Sequence, residues 1–199
     1  MGNKKLLKTT LLQTVLIIAI SYGISSFSYS QTSKDTKSVA NEQNAIKYAN
    51  TNKEKDAKFL VDVAEINLEE IKLGQLARQK SAMADVKELG KMMETAHSKC
   101  MNELTILAKK KSIAIPSSLT DNGNDAYKKL SNLSGTSFDK EYCDMMINGH
   151  KGAIAEFEKE IKESNDADIK QFATSTLPEL HSHLEHATTC QKKCEKMKK

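Results

Sequence analysis

The sequence predicts an all-α protein whose main domain is a four-helix bundle with a ferritin-like arrangement. Apolar residues recur at three- and four-residue spacing over four long segments after residue 54, a pattern typical of amphipathic helices that share one core. Only two prolines occur, and no segment shows the alternating β-branched pattern of a strand. Roughly 150 residues are available for this domain, which is enough for a substantial core.

Residues 1–30 carry the pattern of a secretory signal peptide. Three early lysines precede a short apolar run from Leu11 to Ile20, and Ser28 and Ser30 are small residues at positions −3 and −1 of a cleavage site. The run is too short and interrupted for a spanning helix, and the small-residue site disfavours a retained anchor. We therefore expect cleavage after about Ser30, a periplasmic or otherwise extracytoplasmic location, and no transmembrane segment in the mature chain.

Residues 31–54 are polar and poor in bulky apolar side chains, so we expect a flexible linker before a bundle domain over 55–199. Three of the 30 Lys and Arg residues and none of the 26 Asp and Glu residues lie in residues 1–30, which leaves a mature net charge of +1. Because aromatic residues are few and cations alternate with anions, we expect no nucleic-acid partner. The oligomeric state is not indicated.

Four long helices, A to D, are predicted in chain order. The apolar pattern places them at about 55–79, about 83–110, Gly135 to about 163, and from the turn "SNDAD" onward. Thr136 and Asp139 approximate a capping box for helix C, and Pro178 should kink or break helix D. A short helix is expected near 124–133.

The connection between helices B and C, residues 112–136, is long enough to cross the length of the bundle. That crossing is the ferritin-like topology, whereas a simple up-down order is the alternative.

Each long helix carries one strongly polar residue within its apolar stripe. These are Glu70, His97, His150 and His183. Residues at one level of an antiparallel hairpin lie at equal distances from its turn. The positions of Glu70 and His97 average 83.5, at the A–B turn, and those of His150 and His183 average 166.5, within the C–D turn. Each pair is therefore level within its hairpin, and all four side chains are expected to meet near the middle of the bundle if the two hairpins are in register.

A buried carboxylate and three buried imidazoles are costly without partners. A transition metal (Zn, Cu, Fe or Mn) is one solution, and a hydrogen-bond network without metal is the other. Glu94 forms a Glu-x-x-His step with His97, a spacing that carboxylate-bridged bundles use, and is a further candidate ligand. A di-iron centre needs about four carboxylates, which the stripes do not supply, so we disfavour a ferroxidase.

The same calculation of levels within a hairpin applies to the cysteines. Cys143 and Cys190 also average 166.5 and lie seven residues from the histidines, so we predict that they form a disulfide in the exported protein. Cys194 competes for Cys143, and Cys100 has no assigned partner. We find no Gly-rich phosphate loop and no hydrolase nucleophile elbow, so no enzymatic reaction is predicted.

Four blocks of the chain resemble a bacterial family of domains of unknown function. They read "FLVDVAEINLEEIKLGQLA", "VKELGKMMETAHSK", "GTSFDKEYCDMMINGHKGAIAEFEKE" and "FATSTLPELHSHLEHA". Members are often labelled "predicted outer membrane protein" and have a ferritin-like helical bundle. The resemblance covers roughly 56–187 and implies that fold, an exported location and an association with the envelope or outer membrane.

The resemblance also places Glu70, His97, His150 and His183 on the recurrent polar positions of the family. The family commonly has an aspartate directly before the helix B histidine, where this chain has Ala96. Two functions stay open. One is a metal-binding bundle for storage, buffering or stress protection. The other is a non-enzymatic envelope structural or interaction protein, whose Glu/His network only fixes helix packing.

Overall fold

A computed structural model describes residues 34–51 and 53–196, so the expected signal peptide lies outside the described residues. The described parts contain six α-helices and no strand. They are α1 (Thr36–Tyr48), α2 (Lys53–Lys80), α3 (Ala84–Lys111), α4 (Asp121–Ser131), α5 (Gly135–Glu163) and α6 (Ala167–Lys196). The predicted helices A to D correspond to α2, α3, α5 and α6. Within these two stretches, no helix has the length and apolar character needed to cross a membrane.

Helix α1 corrects the expectation of a flexible linker over 31–54. Asp35 caps its start by accepting a hydrogen bond from the Ser38 N–H. Buried Asn44 exchanges two 2.8 Å hydrogen bonds with the backbone of Ala114, and the Tyr48 hydroxyl donates to the Lys111 carbonyl over 2.9 Å. A polar segment is thus ordered by hydrogen bonds to the connection after α3, which its low hydrophobicity did not indicate.

Helix α5 begins at Gly135 as predicted, but its N-terminal capping differs from the prediction. The helix begins after Ser134, whose side chain makes no capping hydrogen bond, and Gly135 adopts a left-handed φ of 55°. The predicted capping box of Thr136 and Asp139 is wrong, because buried Asp139 instead accepts a 2.5 Å hydrogen bond from the Ser81 hydroxyl in the α2–α3 turn.

Helix α6 continues without interruption through Pro178. A break there was one of the two predicted outcomes, and it does not occur. Proline removes one backbone donor, and the carbonyl four residues earlier belongs to solvent-exposed Thr174. Water can therefore satisfy that carbonyl.

The long helices pair first as two hairpins, α2 with α3 and α5 with α6. Between hairpins, Ser164 just after α5 donates a 2.9 Å hydrogen bond to Asp56 near the start of α2. Ser81, just after α2, bonds Asp139 near the start of α5. Helices α2 and α5 are therefore antiparallel.

The other inter-hairpin pair is antiparallel as well. Lys111 at the end of α3 lies 2.6 Å from Asp166 before α6, and Lys193 near the end of α6 lies 2.5 Å from Asp85 near the start of α3. It follows that α3 and α5 run in the same direction. The connection between them, which contains α4 packed along α2, must cross from one end to the other.

The core consists of two groups of buried apolar side chains stacked along the helix axes. On α5, Met146 belongs to one group and Ala153 to the other, and His150 lies between them. On α3, Met93 and Cys100 flank His97 in the same manner. The histidine level is thus a polar layer between two apolar layers.

Candidate metal centre

Three of the four predicted polar residues converge in this layer. His97, His150 and His183 are 1 to 4 % exposed. Their candidate ligand atoms all lie within 4.8 Å of one another, and their ring centroids are 5.2 to 5.6 Å apart. The structure therefore brings the three imidazoles together, while metal binding by them stays a prediction.

The orientation of His97 is set by α2. Its Nδ1 lies 2.8 Å from Oδ1 of buried Asn67, whose amide nitrogen donates to the Cys100 sulfur over 3.4 Å. An amide oxygen only accepts, so Nδ1 of neutral His97 carries the proton. Its Nε2 then holds a lone pair, and this buried atom has no hydrogen-bond partner among the described residues.

The orientation of His150 is set by its own helix. Its Nδ1 lies 2.8 Å from the Met146 carbonyl, which only accepts, so Nδ1 carries the proton. The Nε2 lone pair lies 3.2 Å from Nδ1 of His183, which donates to it when no metal is bound. Two imidazole nitrogens on one tetrahedral zinc ion, each about 2.0–2.1 Å from it, are about 3.3–3.4 Å apart. The observed spacing is close to that value.

Glu70 lies next to the three histidines but outside their group. Its Oε1 is 3.7 Å from His150 Nδ1, the ring nitrogen that does not contact His183. Burial, with a smaller contribution from Glu69, raises the pKa of Glu70 well above its usual range. Glu70 therefore lies on the Nδ1 side of His150, away from His183. Carboxylates often occupy this position beside metal-binding histidines.

Glu94 does not join the group. Its carboxylate pairs with Arg78 and accepts a 3.1 Å hydrogen bond from Gln75, at the partly exposed edge between α2 and α3. The hydrogen bond from Arg78 lowers the pKa of Glu94. A three-residue step leaves two side chains about 60° apart around a helix, and here that offset turns Glu94 toward Arg78 while His97 faces the core.

The electrostatics of the site favour neutral imidazoles. Burial is the main cause that lowers the pKa of all three histidines, well below the usual range for His97 and to about 4 for His183. Mutual repulsion between charged rings adds to the effect at His97 and His183. Neutral imidazole is the form that binds metals, so the site needs no deprotonation at neutral pH.

A narrow cavity adjoins the histidine layer and is lined by residues of α2, α3, α5 and α6. Its lining includes His97 and His183 together with partly buried Ala96 and exposed Glu179. An entry path of this kind is a requirement for a metal site inside a bundle.

The cysteines form a separate cluster. All four are free thiols, so the predicted Cys143–Cys190 disulfide is not formed in the structure and its pairing stays a prediction. The sulfurs of Cys143, Cys190 and Cys194 lie within 4.8 Å of one another. Cys100 lies apart, beside Asn67.

Asn67, whose side chain orients the ring of His97, was not identified from the sequence. The available signal was its position three residues before Glu70 within the α2 stripe, where the structure buries it. A buried asparagine on a helix face usually has specific hydrogen-bond partners, so its presence beside Glu70 was informative.

Comparison with known proteins places the chain in a family. A family model described as "Domain of unknown function (DUF4142)" matches residues 41–190, which include the three histidines, Asn67 and Glu70. No curated protein and no solved structure matched. The sequence-based resemblance to a family of domains of unknown function is therefore confirmed at that level. Since the match covers well over half of its residues, the chain belongs to the DUF4142 family.

Proposed function

We propose that this chain is an exported four-helix bundle protein that binds one transition-metal ion through His97, His150 and His183, for metal storage, buffering or stress protection. The observation that carries this proposal is the buried, unpartnered Nε2 of His97 beside two further imidazoles. A buried polar atom without a partner costs about 1–3 kcal/mol. A bound ion would remove that cost.

The arrangement of helices supports a ferritin-like bundle. Helices α2, α3, α5 and α6 each contact two of the others, and α3 and α5 run in the same direction. One long crossover between the second and third helices of a bundle is the ferritin-like order. The candidate site lies in the middle of this bundle, where such folds place their metals.

The donor set favours zinc or copper over manganese. Three neutral imidazoles suit Zn and Cu, whereas manganese prefers oxygen ligands. The Glu70 carboxylate lies on the Nδ1 side of His150, 3.7 Å from that nitrogen, and not among the three rings. Three protein ligands leave a fourth position for water or another small ligand, and a cavity lined by His97 and His183 adjoins the site.

The export part of the proposal comes from the signal-peptide pattern of residues 1–30. An association with the envelope or outer membrane belongs to the same proposal. N-terminal sequencing of the protein isolated from cell fractions tests both. The expected result is a chain that starts near Gln31 in an extracytoplasmic fraction, and an uncleaved chain in the cytoplasm would refute export.

One alternative has its own observation. The 3.2 Å contact between His150 and His183 and the 2.8 Å contact between His97 and Asn67 are good hydrogen bonds without any metal. The histidines would then only fix helix packing in a structural or interaction protein of the envelope. Under this alternative the Nε2 of His97 stays unsatisfied, which is why we favour the metal.

Metal titration separates the two. The protein, purified without a His-tag, is titrated with Zn(II), Cu(II), Fe(II) and Mn(II). We expect one equivalent of Zn(II) or Cu(II) that His97→Ala and His150→Ala each remove and that Cys194→Ser retains. If the wild type binds no more metal than the two histidine variants, and circular dichroism shows both to be folded, the metal proposal is wrong.

A further inference from the structure

A second cluster of candidate metal ligands lies about two helical turns from the histidines. Cys143 precedes His150 by seven residues on α5, and Cys190 follows His183 by seven on α6, which corresponds to about 10 Å along the axis. Cys194 completes the cluster one turn further along α6. All three cysteines are buried, at 4 % exposure or less.

The spacing of the sulfurs fits a single bound ion. Cys143 Sγ and Cys194 Sγ are 3.9 Å apart, and the Cys190 sulfur lies within 4.8 Å of both. Sulfurs that share one tetrahedral ion, each about 2.3 Å from it, are about 3.8 Å apart. A disulfide would use only two of the three thiols and would leave the third sulfur buried beside it.

A fourth sulfur adjoins the three thiols. The thioether sulfur of Met83, in the turn between α2 and α3, lies 3.6 Å from the Cys194 sulfur. Met83 is the N-cap of α3, and its side chain makes no capping hydrogen bond. The positive end of the α3 dipole therefore lies close to the cluster, where it favours thiolates.

A buried hydroxyl adjoins the cluster in sequence. Tyr142 directly precedes Cys143 on α5, and its hydroxyl has no hydrogen-bond partner among the described residues. It is therefore an unused hydrogen-bond donor on the same helix as Cys143.

The cluster is reachable from the surface. Cys190 lines an open cleft together with Leu89, Met92 and Lys193. Met83 lines a second cleft, beside Gly135 and Asp139. An ion therefore has a short path to the sulfurs, and the histidine layer does not lie on it.

We propose that Cys143, Cys190 and Cys194, assisted by Met83, form a sulfur site for a soft monovalent ion, Cu(I). Thiolate and thioether ligands select soft ions, and the contribution of a thioether favours Cu(I) over Zn(II). On binding, each thiol that coordinates loses its proton to solvent as its copper–sulfur bond forms, and no electron is transferred. This site is independent of the histidine site.

The test is anaerobic titration of the fully reduced protein with Cu(I) against a chromophoric Cu(I) chelator, with X-ray absorption of the product. We expect one Cu(I) per chain in a sulfur-dominated coordination shell. Cys143→Ser and Cys194→Ser should each weaken binding at least tenfold. Cys100→Ser is the matched control, because that cysteine is also buried but lies outside the cluster, and it should bind as the wild type does. His97→Ala should also keep the copper–sulfur signal, which separates this site from the histidine site.

Met83→Leu keeps the side-chain volume and so tests the fourth sulfur if the cysteine variants fold poorly. It should reduce Cu(I) affinity several-fold and remove one sulfur from the coordination shell. The proposal is overturned by a shell dominated by nitrogen or oxygen. It is also overturned if the reduced wild type binds Cu(I) no better than Cys143→Ser, or if Met83→Leu changes neither affinity nor coordination shell.

Discussion

Oδ1 of Asn67 accepts a hydrogen bond from Nδ1 of His97 over 2.8 Å, and this contact between α2 and α3 leaves the Nε2 of His97 as the nitrogen free to bind an ion. Asn67 is held in turn, since its amide nitrogen donates to the Cys100 sulfur. The chain from Cys100 through Asn67 to His97 thus fixes this imidazole in the tautomer that has its lone pair on Nε2.

Asn67→Ala should weaken metal binding about 10- to 100-fold, because the hydrogen bond that orients His97 is lost. Asn67→Asp is the matched control, since it retains an oxygen acceptor for the His97 proton and should stay much closer to the wild type. Isothermal titration with Zn(II) measures both affinities. Equal loss in the two variants would show that the acceptor at this position does not matter.

Acid should destabilise the metal-free protein through its three buried histidines. Their folded pKa values lie below the ordinary value of 6.5, so the unfolded chain binds more protons than the folded chain as the pH falls below 6.5. The stabilisation is present above pH 6.5 and decreases below it, by up to about 1.4 kcal/mol per pH unit for each histidine.

Urea denaturation between pH 7.5 and pH 5, in the presence of a chelator, measures this slope. His183→Gln should reduce it by the contribution of one proton, because glutamine does not titrate. A variant whose slope equals that of the wild type would show that His183 is not held neutral by the fold.

Glu70 should contribute to stability with a pH dependence opposite to that of the three histidines, and the Glu70→Gln variant tests this. The folded pKa of Glu70 is raised, so its contribution is fully present below the ordinary value of 4.5 and is lost as the pH rises toward the folded value. Glutamine has the same shape and never ionises, so the variant should gain stability relative to the wild type between pH 5 and pH 8. Parallel urea titrations test this, and a constant difference would mean that Glu70 titrates normally.

Glu94→Gln should leave metal affinity within about twofold of the wild type. The carboxylate pairs with Arg78 at the partly exposed α2–α3 edge, and pairs of that kind contribute about 0–1 kcal/mol to stability. Zn(II) titration of this variant beside His97→Ala gives the comparison. A tenfold loss of Zn(II) affinity in Glu94→Gln would indicate that Glu94 is a ligand after all.

Gly74→Ala should destabilise the fold by about 1–3 kcal/mol through overpacking. A Cβ atom at Gly74 would lie 2.6 Å from the Gly90 carbonyl oxygen of α3, so the two helices would have to separate. Gly152→Ala is the control, because nothing lies within 4 Å of its Cβ position. This exposed helical site should gain about 0.5–1 kcal/mol. Thermal unfolding of both variants provides the comparison, and similar effects in both would show that α2 and α3 tolerate greater separation.

Much of this architecture could be predicted, because helical periodicity and turn centres are local properties of the sequence. Hairpin arithmetic predicts the level of each histidine within its own hairpin, and the meeting of His97 with His150 and His183 also requires the two hairpins to be in register. Which side chains pair between helices is not a local property of the sequence. Glu94 lies one helical turn from His97, yet its charge pairs with Arg78 of α2, and Asp139 bonds Ser81, which is 58 residues away. Such contacts depend on the rotation of each helix about its axis, which periodicity fixes only coarsely.

Glu70 was predicted to join the three histidines, and the structure places it beside them but outside their group. This difference has the same origin. Level arithmetic places it correctly beside the histidines, within 3.7 Å of His150. It cannot show which nitrogen of His150 the carboxylate approaches, since the Met146 carbonyl determines that orientation.

X-ray absorption of the Zn(II)-loaded protein, compared between the wild type and the His97→Ala variant, tests the central claim most directly. The account predicts three imidazole nitrogens about 2.0–2.1 Å from the zinc in the wild type, with one fewer nitrogen or no bound zinc in the variant. A wild type that holds no stoichiometric zinc would contradict it. So would a coordination shell without imidazole that His97→Ala leaves unchanged.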